Sequence, residues 1–195
     1  MLYCRAVDGR PKEATLPERV LVVKLAEIGD ALLITPALRA LRRGLPGARL
    51  DVLTTAGGAA ILRDSGLCDG VVVFDKHRFD RPTGVLRPAN LRYAAGLGWT
   101  LRRGRYDAVV LFHHLSTRFG ALKYALFCYA AGAPRRLGLD NGRGFFLTES
   151  VPDRGYGARH ELDYALEVAG LLAPAPERVP PVFAIPDADR RRAAA

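Results

Sequence analysis

The chain has 195 residues, 49% of them hydrophobic and 25% charged, and a formal net charge of +9. That suffices for one domain with a real core, and no apolar run approaches the roughly 18–20 residues of a membrane span. Three widely spaced cysteines without a CxxC pair, and four histidines without ligand spacing, argue for reduced thiols in a cytoplasmic protein and against a metal site.

Residues 1–18 lack an apolar signal segment and are expected to be a disordered lead-in. "RVLVVKL" (19–25) then reads as a strand buried on both faces. "ARLDVLTT" (48–55), "DGVVVFD" (69–75) and "YDAVVLFHH" (106–114) are three more, with helical patterns between them at 36–44, 57–65, 89–103 and 116–131. Strands separated by helix-length segments imply right-handed crossovers and a doubly wound, Rossmann-like parallel sheet with 19–25 at its centre. "PRRLGLD" and "GFFLTESV" are candidates for a fifth and a sixth strand. "ARHELDYALEVAGLL" (158–172) is a helix with Leu162, Leu166 and Ala169 on one face. The proline-rich stretch from residue 174 reads as a linker, so this last helix and the linker are expected to be weakly held.

Only four of the 29 basic residues are lysine. Arginine dominance has a bland source in a GC-rich coding sequence; otherwise the charge favours an anionic partner. Nucleic acid is not expected, because the basic residues are scattered and no recognition signature appears.

The loop "AEIGD" lies at the carboxyl end of the first strand, where parallel sheets bind ligands. It is neither a G-x-G-x-x-G fingerprint nor a Walker A loop. Gly29 permits a positive φ or the close approach of a ligand. Thr35-Pro36 reads as an N-cap and first helical residue, so the regular helix is expected to start there. Asp30 is then either a cap on the amides of residues 32 and 33 or a presented carboxylate, a candidate general base.

The stretch "VLVVKLAEIGDALLITPALRALRRGLPGARLDVLT" resembles the start of glycosyltransferase family 9, the ADP-heptose:lipopolysaccharide heptosyltransferases. Lys24, Ile28, Gly29, Asp30, Thr35, Pro36, Ala37, Leu38 and Leu41 carry the likeness, and "YDAVVLFHHLSTRFGALKYALFCYAAGAPRRLGLD" and "RHELDYALEVAGLL" extend it. The resemblance implies the N-terminal half of a two-domain GT-B enzyme: an acceptor-binding domain at 19–173, then at 174–195 an interdomain linker and the start of a C-terminal donor domain. It implies transfer of a heptose from a nucleotide sugar to the lipopolysaccharide inner core with inversion, without cofactor or metal, and with Asp30 as base. The implied acceptor is an anionic Kdo-lipid A glycolipid, reached at the inner face of the inner membrane by peripheral association. By the same resemblance the half alone is expected to be inactive.

"FDKHRFDR" follows the third strand, so Lys76, His77, Arg78 and Arg81 are candidate acceptor contacts, as is Arg118 at a helix start. Asp75 is a weak candidate for a ribose-binding acid. His113 and His114 end the fourth strand and point to opposite sides. His160 is a candidate cap or junction contact. Tyr93 and Trp99 are read as core. Two other classes compete with the enzyme: a non-catalytic module for an anionic glycolipid or a donor-domain subunit, and a nucleotide-binding Rossmann-like protein.

Overall fold

The computed structural model describes residues 16–79, 87–173, 178–183 and 191–192. Six parallel strands run β1 (Arg19–Lys24), β2 (Arg49–Thr54), β3 (Gly70–Val73), β4 (Ala108–Leu111), β5 (Arg135–Asp140) and β6 (Glu149–Pro152) in chain order. In space the order is β3-β2-β1-β4-β5-β6, with every neighbouring pair parallel. This is the doubly wound, Rossmann-like arrangement expected. β1 lies inside the sheet, in register with β2 (Val22↔Val52) and β4 (Val22↔Val110).

The apolar run of β1 needs cover on both faces, and the fold supplies two cores. Val20 and Val22 point into one, beneath α1 (Ile28–Leu33), α2 (Thr35–Gly44), α3 (Ala56–Leu62) and α6 (Glu161–Ala169). Leu21, Val23 and Leu25 point into the other, beneath α4 (Pro88–Arg103) and α5 (Arg118–Ala131). A 3-10 turn, Lys76–Phe79, follows β3. Thr117 caps α5 by accepting the Gly120 amide at 2.9 Å. Gly132 ends that helix at φ +69°, its amide donating to Cys128 O and Tyr129 O.

Several expectations are corrected. The regular helix α2 does begin at Thr35, but a short helix not expected, α1, precedes it from Ile28, with Ile34 between them. Thr35 does not cap: its hydroxyl donates to Leu32 O (2.7 Å) and accepts the Val182 amide (2.9 Å). α6 is not weakly held, since Leu162, Tyr164, Ala165, Leu166, Val168 and Ala169 are buried and pack with α2. Residues 178–183 lie back on the domain through Val182 and through an Arg178–Asp163 ion pair of 3.0 Å. Trp99 is not core but 61% exposed on the outer face of α4. Residues 1–15, Arg81 and much of the linker lie outside the described residues. Among those described, no helix is long and apolar enough to cross a membrane.

Candidate functional site

The chain winds one way from β1 through β2 to β3 and the other way from β4 to β6, so the switch point falls between β1 and β4. Crevices at such points, beyond the carboxyl ends of the strands, are where open parallel sheets take ligands. β1 delivers Lys24 and then α1 with Asp30; β4 delivers His113 and His114.

α1 begins at Ile28, which places Asp30 in its first turn, where the helix dipole favours a negative charge. The residue is exposed and its carboxylate takes no hydrogen bond among the described residues, so the capping alternative falls. A presented carboxylate remains. Gly29 has no positive φ, and a Cβ added to it would meet nothing within 4 Å, so what the glycine leaves is open space beside Asp30.

Beneath this rim lies Lys24, 6% exposed. Strand alternation sends it towards α6, where a small cavity is lined by Lys24, Leu33, Phe112, Glu161 and Tyr164. Burial pushes its ammonium below the usual lysine range, and the negative charges of Asp30 and Glu161 act against that shift.

The two histidines do point opposite ways. His113 stacks on Tyr124 with ring centroids 4.6 Å apart, and its Nε2 accepts the Leu25 amide at 2.6 Å. Burial holds its pKa well below the ordinary value, with Lys24, Lys123 and His114 adding to the effect. The ring is therefore neutral and carries its proton on Nδ1. His114 is buried between two carboxylates, Nδ1 at 2.8 Å from Asp153 and Nε2 at 2.9 Å from Glu161. It clamps the end of β4 to the segment after β6 and to the start of α6. The two acidic groups sit on opposite ring nitrogens, so they do not converge as a chelating set.

The basic residues after β3 are largely engaged. Lys76 pairs with Glu27, holding that carboxyl below its ordinary range. Arg78 pairs with Asp75 at 3.0 Å and lies over the Tyr93 ring at 4.8 Å. His77 is exposed, its amide donating to Asp75 at 3.2 Å. Asp75 is thus occupied in organising this turn. Arg118 is exposed at the first residue of α5. His160 caps α6 through Nδ1, which accepts the Leu162 amide at 3.2 Å. Tyr93 is partly buried against Phe74 and Phe79. Glu27, Asp153 and Glu161 carry no motif spacing of their own. The one available signal was polar residues at strand ends and in a first helical turn.

No family profile matches the chain, and no curated protein sequence matches it. Solved structures do. A glycosyltransferase of family 9 from Veillonella parvula matches with a TM-score of 0.70 and 21% identity over 91% of this chain and 48% of its own. The E. coli heptosyltransferase WaaC, solved with ADP-2-deoxy-2-fluoro heptose, matches with 0.65 and 21% over 79% of this chain and 48% of its own. E. coli ADP-heptose lps heptosyltransferase II matches with 0.62 and 17% over 89% and 49%. The chain thus shares its fold with these glycosyltransferases and spans about half their length.

Proposed function

We propose that this domain is the acceptor side of a glycosyltransferase that draws on a nucleotide-sugar donor, with Asp30 as general base. The observation that carries the reading is the exposed Asp30 carboxylate in the first turn of α1, at the switch point of a fold shared with heptosyltransferases. A sugar hydroxyl is a weak nucleophile until a positioned base accepts its proton. Here a carboxylate oxygen of Asp30 takes that proton while the hydroxyl oxygen attacks the anomeric carbon. The bond from that carbon to the diphosphate oxygen breaks, and the nucleoside diphosphate departs with the electron pair. Attack opposite the leaving group inverts the anomeric centre. The donor is held by a second domain, in cis or in trans, and the transfer requires no metal.

A heptose is the proposed sugar, and an anionic lipopolysaccharide-type glycolipid the proposed acceptor. Gly29 leaves room for it beside the base. Its acidic groups meet Lys76, His77, Arg78 and Arg118, displacing Glu27 from Lys76 and Asp75 from Arg78. Both ion pairs are substantially exposed, so the exchange costs little.

Asp30→Asn tests the reading. The amide keeps the size and one acceptor oxygen but takes no proton. Turnover, with a donor domain supplied, is expected to fall about 10²–10⁴-fold. Thermal stability should hold, because the carboxylate bonds to nothing among the described residues. Unchanged turnover would remove Asp30 from the chemistry.

A further inference from the structure

A hydrogen bond between positions 147 residues apart ends on the helix that carries Asp30. Thr35, at the junction of α1 and α2, is fully buried. Its hydroxyl donates to Leu32 O at 2.7 Å and accepts the Val182 amide at 2.9 Å. Leu32 lies two residues after Asp30 and also accepts the Ile34 amide. α1 has only six residues, too few to be stable by itself, and its N-cap Glu27 makes no side-chain cap. The Thr35 hydroxyl therefore closes the end of a short helix that needs outside support. Its single proton goes to Leu32 O, and the Val182 amide on its lone pair fixes that orientation.

The segment that brings Val182 is suited to this contact. Pro180 and Pro181 favour an extended, stiff chain and have no amide hydrogen, so Val182 presents the first donor after them. Val179 and Val182 are half-buried, whereas Arg178, Pro180, Pro181 and Phe183 are exposed. Arg178 pairs with Asp163 at 3.0 Å, in the first turn of α6, and α6 packs on α2. The segment is thus tied to α6 at one end and to the α1–α2 junction at the other.

We propose that Thr35 is a positioning residue for Asp30, and that residues 178–183 form a strap whose docking holds the α1 turn in place. With the strap docked, Leu32 O keeps its hydroxyl donor and the turn presenting the carboxylate is fixed. With the strap released, the buried Thr35 oxygen loses a partner, its proton is free to turn from Leu32, and α1 loosens. The kinetic consequence rests on the reading of Asp30 as base; the coupling of strap to helix does not.

Hydrogen exchange of the full chain measures that coupling. Val182→Pro removes only the donor, at a half-buried position, and Thr35→Val removes the hydroxyl with little change of shape. In each, exchange across residues 30–34 should quicken about tenfold or more, while β1 and β4 exchange as in the parent. The double variant should be no looser than the looser single one, because both remove the same bond. Thr35→Ser keeps the hydroxyl and should restore slow exchange in α1. With a donor domain supplied, kcat should fall about tenfold in Val182→Pro with KM little changed, since the reacting geometry is disturbed and the ligand contacts are not. Parental exchange of α1 in Val182→Pro would overturn the strap. A loosened α1 with parental kcat, where Asp30→Asn is inactive, would overturn the positioning role. If Asp30→Asn keeps its turnover, the catalytic reading falls, and α1 exchange in Val182→Pro still supports or overturns the strap.

Discussion

Asp30 and Gly29 illustrate how little sequence separates a structural residue from a functional one. A carboxylate in a first helical turn is ordinarily tied to backbone amides. Asp30 is exposed instead, with buried Lys24 near enough to feel its charge. Gly29 is helical and has open space where a Cβ would stand. Gly29→Ala should therefore stabilise the fold, by about 0.5–1 kcal/mol from helix propensity. If the acceptor approaches the backbone there, kcat/KM should fall in the same variant. A higher melting temperature with unchanged kcat/KM would show that no ligand uses the space.

Among the elements, α1 and α3 depend on a close approach. Thr55 ties the two strand ends together, its hydroxyl donating to Ala26 O at 2.6 Å and accepting the Gly58 amide at 3.3 Å. Gly57 faces Ile28, and a Cβ there would come within 3.3 Å of Ile28 Cγ1. Gly58 is tighter still: a Cβ would stand 2.0 Å from Thr54 Oγ1, on a fully buried, β-branched side chain with little freedom to move. Gly58→Ala should cost about 1–3 kcal/mol of stability as an overpacked contact. Denaturant unfolding would measure it. A neutral result would mean that α3 shifts away from Thr54 without loss.

At the scale of the whole molecule, His113 links stability to pH. His113 has a folded-state pKa well below the ordinary histidine value, chiefly through burial. In acid the unfolded chain binds a proton there that the folded chain refuses. Its contribution is therefore complete above the ordinary histidine pKa and is lost as pH falls towards the depressed value. The melting temperature should drop on acidification from pH 7 through this range. His113→Gln keeps an acceptor for the Leu25 amide without a titrating group, so it should flatten that slope relative to the parent. An identical slope in the variant would assign the pH dependence to other groups.

The strand pattern, the parallel sheet and the central place of β1 were legible in the sequence, because an unbroken β-branched run states locally that both faces are covered. The position of Asp30 at the end of that strand was legible for the same reason. The start of α1 was not: glycine and aspartate are poor helix formers, and the turn sits against Gly57 of α3. The exposure of Trp99 was not legible either, since a helix apolar on both faces does not say which face meets the sheet. Nor could spacing reveal the His114 clamp, whose partners Asp153 and Glu161 lie 39 and 47 residues away. Periodicity follows from backbone geometry over a few residues, so the sequence by itself determined the elements and their order. Which polar groups meet at the switch point depends on contacts between distant segments, and only the tertiary structure decided that.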